Sequence, residues 1–88
     1  MDNSSPLPTK SQQTRFYRKL PAYLRRVREE AGLSQRSLGE KLGKNQAWVF
    51  KCESSIRRVD ITEFMEWVIA CEVEPEAAFR ELLKMRHR

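Results

Sequence analysis

Residues 34–53, SQRSLGEKLGKNQAWVFKCE, hold two short amphipathic runs on either side of Gly43. Ser34 is placed to cap the first run, in which Leu38 and Leu42 share one face. Asn45 is placed to cap the second, in which Val49 and Cys52 point inward. Isolated helices shorter than about 12–15 residues are marginal in water, so neither run is stable alone. Both must be held by packing on other helices. A glutamine opens each run, Gln35 in the first and Gln46 in the second.

The remaining helices are legible on either side as apolar residues at helical spacing. KLPAYLRRVREEAGL, residues 19–33, predicts a first helix with Pro21 in its first turn and Leu20, Leu24, Val27 and Ala31 as its buried stripe. Gly32 supplies a residue suited to closing it. After the connection ESSIRRV, Asp60-x-x-Glu63 is a capping box. It opens a fourth helix whose buried side is Ile61, Phe64, Val68 and Cys71, with Trp67 at the border of the core. A fifth helix starts near Pro75 and offers Ala78, Phe79, Leu82 and Leu83. Alternating strand patterns bounded by hairpin turns are missing from the sequence. The expected fold is all-α, a compact five-helix domain over residues 18–88 behind a flexible tail at 1–17 that begins MDNSSPLPTKSQQ. TRFYRKL could form an arm that reaches a groove, or Phe16 and Tyr17 could cover the end of the bundle.

Eighty-eight residues with 40% hydrophobic and 33% charged side chains suit one globular domain with a modest core. No apolar run reaches membrane-spanning length and no signal-peptide core is present, so a cytoplasmic protein is expected. Cys52 and Cys71 read as reduced core thiols, and the single histidine, His87, stands near the C-terminus. Neither a metal site nor a nucleophile–base pair is expected, hence no cofactor and no enzyme. The net charge of +5 is unevenly spread: residues 10–58 carry 13 Lys/Arg against 4 Asp/Glu, and residues 59–88 carry 4 against 7. Such a one-sided field favours a polyanionic partner.

Two short helices joined by a tight turn and packed on a small bundle make a helix-turn-helix. GLSQRSLGEKLGKNQAWVFKCE resembles the helix-turn-helix of the Cro/cI-type, or Xre-like, regulators in Gly32, Leu33, Ser34, Gln35, Leu38, Leu42, Gly43, Val49 and Glu53. The likeness runs from about residue 20 to residue 83. It implies a lambda-repressor-like domain that binds double-stranded DNA as a homodimer on a palindromic operator, most simply as a repressor. In that register Gln46, Ala47 and Lys51 reach base edges in the major groove. Ser34, Gln35, Lys44, Arg57 and Arg58 are then set for phosphates. The resemblance also implies an ion pair between Arg28 and Glu53. The fifth helix, with Phe79, Leu82 and Leu83, is the candidate dimer contact, and the same residues could instead close the core of one copy.

Three residues depart from the family pattern. Gly39 stands where the helices cross and the family usually has alanine. Ser55 replaces a frequent glycine, and Phe50 stands at an outward position that is commonly polar, where it would meet thymine methyls or a protein. Trp48 and Phe50 therefore support an alternative, a protein-binding module such as an antiactivator or antitoxin that keeps the fold.

Overall fold

The computed structural model describes residues 10–85, with side chains from residue 17 onward. Five helices follow in order: α1 Lys10–Glu30, α2 Gln35–Leu42, α3 Gln46–Glu53, α4 Ile61–Ala70 and α5 Pro75–Met85. Among the described residues there is no strand. Helices α1, α4 and α5 pack on one another, and α2 and α3 lie across them as a hairpin.

The helix starts follow from local chemistry. Ser34 Oγ accepts the Ser37 N–H at 3.0 Å and Asn45 Oδ1 accepts the Trp48 N–H at 2.8 Å. At α4, the Asp60 carboxylate accepts from the Glu63 N–H at 2.8 Å while Glu63 returns to the Asp60 N–H at 3.0 Å. Each cap satisfies amide groups that the first turn of a helix leaves without a partner.

The core is Tyr23, Leu24 and Val27 of α1, Leu38 of α2, Val49 and Cys52 of α3, Phe64, Trp67 and Val68 of α4, Cys71, and Ala78 of α5. Trp67, expected at the border, is fully buried near its centre. Its indole N–H donates to the Leu24 carbonyl at 3.1 Å, which removes the cost of burying that donor. Two residues expected inside are exposed. Ala31 lies beyond the end of α1, and Ile61, the first residue of α4, is exposed although it shares the side of Val68 seven residues on.

The first helix also begins well before its expected start. Pro21 is buried inside α1 rather than in its first turn, and it removes the bond its N–H would give to the residue 17 carbonyl. The upstream turn has a tertiary anchor instead: Tyr17 Oη accepts the Val59 N–H at 3.0 Å. The tail expected over 1–17 is therefore helical from Lys10 onward. Its residues 1–9, the side chain of Phe16, and His87 lie outside the described residues. Two residues beyond Tyr17 along α1, Lys19 Nζ donates to the Met85 carbonyl and ties α1 to the last turn of α5.

Candidate nucleic-acid interface

The α2–α3 hairpin is held by its turn and by one buried ion pair. Gly43 takes φ 70°, a left-handed conformation that glycine adopts without Cβ strain, and closes α2. Lys44 N–H then donates to the Gly39 carbonyl at 2.8 Å. The two helices approach so closely there that a Cβ on Gly39 would lie 2.9 Å from the Lys44 carbonyl oxygen and 3.1 Å from that of Asn45. Glycine at 39 is thus required by backbone contact.

Beneath the hairpin, Arg28 of α1 grips Glu53 at the end of α3, with Nε–Oε2 at 2.6 Å and Nη2–Oε1 at 3.1 Å. Its Nη1 donates to the Leu33 carbonyl at 2.8 Å. Gln35 Nε2 completes the cluster by donating to Glu53 Oε1 at 3.0 Å. Hydrogen bonding to Glu53 raises the Arg28 pKa further above its ordinary value. The cluster joins α1, the α1–α2 connection, α2 and α3, so it fixes how α3 is presented. It also commits the Gln35 side chain, expected at a phosphate, to Glu53; what remains for an anion there is the unpaired amide end of α2.

With Val49 and Cys52 turned inward, α3 presents Gln46, Ala47, Phe50 and Lys51 to solvent, and all four are exposed. These are the four residues expected to read bases. Lys44 and Arg58 stand on either side in sequence, both exposed. Lys44, Lys51 and Arg58 have no carboxylate within ion-pair distance among the described residues.

Two aromatic platforms orient the flanking cations, and the sequence did not signal this role for either. The Trp48 ring lies 6.2 Å from the Trp67 ring, tilted by 38°. Lys44 Nζ and Arg57 Cζ are 5.2 and 4.9 Å from its centroid. Arg58 Cζ stands 4.3 Å from the Tyr17 centroid. Cations over aromatic faces gain modest attraction and lose freedom, which preorients them. Sequence spacing carries no trace of the Tyr17–Arg58 contact, whose members are 41 positions apart.

Arg57, also expected at a phosphate, is otherwise engaged. It holds Glu63 with Nη1–Oε1 and Nη2–Oε2 both at 2.9 Å, and donates to the Arg58 carbonyl at 2.8 Å. The guanidinium lowers the Glu63 pKa, with help from the Asp60 N–H. Arg57 thereby pins the α3–α4 connection to the start of α4. Within that connection Ser55 has φ 63°, the left-handed region in which glycine is usual, which accounts for the family's preference at this position.

The other named residues are placed as follows. Leu82 packs against the core, whereas Phe79 is 47% exposed and Leu83 is half-buried. Trp48 is half-buried between Trp67 and its two cations, which leaves Phe50, 50% exposed, as the open aromatic of α3. Cys52 and Cys71 are buried free thiols, and burial pushes Cys71 up to about 11. Among the described residues no three His, Cys, Asp or Glu side chains gather as metal ligands, and no helix is long and apolar enough to cross a membrane.

Comparison with known proteins matches residues 20–82 to the model of a helix-turn-helix domain. Among solved structures, an XRE-family like protein from Pseudomonas syringae pv. tomato str. DC3000 superposes with a TM-score of 0.80. It is 34% identical, and the match covers 88% of this chain and 94% of that one. No curated protein matches the chain.

Proposed function

Because the chain belongs to the XRE-type helix-turn-helix regulators, we infer that it binds a specific duplex DNA sequence through α3 and acts in the cytoplasm as a repressor. One observation carries the reading: the outward face of α3 is Gln46, Ala47, Phe50 and Lys51, flanked by the aromatic-braced cations Lys44 and Arg58. The Gln46 amide is suited to adenine, Lys51 to guanine acceptors, and Ala47 and Phe50 to thymine methyls. Lys44 and Arg58, with the amide end of α2 at Ser34 and Gln35, would hold the phosphate backbone and fix the register of α3.

One such unit spans few base pairs, so specificity calls for a homodimer on a palindromic operator whose half-sites lie about 34–36 Å apart. Repression needs no contact beyond occupancy of a promoter, and it is the mode we assign. Phe50 is the feature that would suit a protein partner instead. A gel shift on the DNA upstream of the protein's own gene, at moderate and high salt, separates the two. Sequence-specific retardation is expected, and Gln46→Ala should cost about 1–3 kcal/mol of binding and loosen preference at one base pair. If Gln46→Ala binds every site as tightly as the parent, α3 does not read bases through Gln46.

A further inference from the structure

Helix α3 is closed by a strained residue. Ser55 holds φ 63° while the next amide, that of Ile56, donates back to the Lys51 carbonyl at 3.0 Å. Glycine takes this conformation without Cβ strain, so serine here keeps a hydroxyl in spite of a backbone cost. Strain of this kind gathers at functional sites. Ser54 and Ser55 are both exposed, and with Arg18 of α1 they line an open cleft of about 440 Å³ between α1 and the end of α3.

The charges of the cleft single out Arg18. The two carboxylates in its wall are already engaged: Glu53 by Arg28 and Gln35, and Glu29 by Arg25 at 3.0 Å. Arg18 is exposed and has no carboxylate within ion-pair distance among the described residues. The turn that carries it is fixed. Tyr17 beside it accepts the Val59 N–H at 3.0 Å and holds Arg58 over its ring, which pins this part of α1 to the α3–α4 connection.

We propose that Arg18, Ser54 and Ser55 form a seat for a backbone phosphate of duplex DNA, at the end of α3 away from Lys44. The proposal rests on the DNA reading above and adds to it a contact from α1. Ser54 follows Phe50 by four residues and Ala47 by seven, so it continues their row along the outward side of α3. The eight residues of α3 measure about 12 Å, and the major groove is about 12 Å wide. A helix of that length lying in the groove has a phosphate backbone near each end. Lys44 and the amide end of α2 serve the first end, and Arg18 with the two serines serves the second. The guanidinium supplies charge and paired N–H donors, and the serines supply O–H donors, a set that matches phosphate oxygens. Such contacts carry no sequence information; they fix the register and tilt of the helix that does.

The test uses the full chain, the DNA upstream of its own gene and a scrambled duplex of equal length. In the proposed dimer, Arg18→Ala should flatten the slope of log K against log salt by about 2 and weaken binding to both duplexes by the same factor. Arg18→Lys should restore most of the slope. Ser55→Gly should move two readouts in opposite directions: a higher thermal melt as strain is relieved, and severalfold weaker DNA binding as the hydroxyl is lost. An unchanged slope in Arg18→Ala overturns the proposal, and so does a Ser55→Gly variant that binds DNA as tightly as the parent. If inorganic phosphate at constant ionic strength shifts the Ser54 and Ser55 amide resonances while the Arg18→Ala slope stays put, the cleft takes a free anion and the proposal for DNA falls. A parent that retards no duplex specifically sinks the DNA reading and the seat with it. A parent that does, with Gln46→Ala loosening its preference and Arg18→Ala without effect, sinks the seat alone.

Discussion

At the scale of single residues, Gly39 and the Arg28–Glu53 pair carry the hairpin in different ways. Alanine at 39 would gain about 1 kcal/mol of helix propensity. Its methyl, however, would sit 2.9 Å from the Lys44 carbonyl and 3.1 Å from the Asn45 carbonyl, backbone atoms that form the turn itself. Overpacking of this kind costs about 1–3 kcal/mol, so Gly39→Ala should be destabilising, read as a lower urea midpoint at unchanged slope. A rise in the midpoint would mean that the turn yields. For the ion pair, Glu53→Ala would strand the buried Arg28 charge and leave Gln35 without its acceptor. A loss of about 3–5 kcal/mol is expected, and Arg28→Met combined with Glu53→Leu should be less harmful than the sum of the single changes. Additive losses in that cycle would show that the two side chains act separately.

At the scale of helices, what the sequence discloses depends on how local the cause is. The caps at Ser34, Asn45 and Asp60 are legible because each is a bond across three residues. The start of α1 is not, because the turn containing Tyr17 is held by Val59, 42 positions away. The face of α4 was legible for Phe64, Val68 and Cys71 but not for Ile61, whose position at helical spacing from Phe64 hides which flank the neighbouring helices cover. The exposed face of α3 was equally legible, while the engagement of Gln35 and Arg57 was not, since both partners come from other elements. Glu63 offers a test at this scale. Its carboxyl is held below the usual range first by Arg57 and then by the Asp60 N–H. A depressed folded pKa means that the unfolded chain binds more protons, so this contribution is complete above the unfolded value of about 4.3 and is lost as pH falls toward the folded one. Urea midpoints from pH 7 to pH 3 should therefore decline less steeply in Glu63→Gln than in the parent below about pH 5. Parallel declines would remove the Arg57–Glu63 contact as a source of acid sensitivity.

Across the whole molecule, the charge asymmetry visible in the sequence becomes a narrower field once the chain is folded. Residues 10–58 carry 13 cations against 4 acids, but Arg25, Arg26, Arg28, Arg36 and Arg57 each lie within 4 Å of a carboxylate. On α3 and the connections beside it, the cations with no such partner among the described residues are Lys44, Lys51 and Arg58, two of them braced on aromatic rings. The salt dependence of DNA binding counts phosphate contacts, because each releases about 0.9 counterion. In the proposed dimer, with Lys44 and Arg58 on phosphates, losing both from each copy would give up four contacts, so the double alanine variant should flatten the slope of log K against log salt by about 3–4. Arg57→Ala should behave otherwise: it frees Glu63 and loosens the α3–α4 connection, lowering stability and affinity while changing the slope less than Arg58→Ala does. An Arg57→Ala slope as flat as that of Arg58→Ala would show that Arg57 leaves Glu63 when DNA arrives. The phosphate contacts would then include a residue that the free protein keeps paired with its own carboxylate.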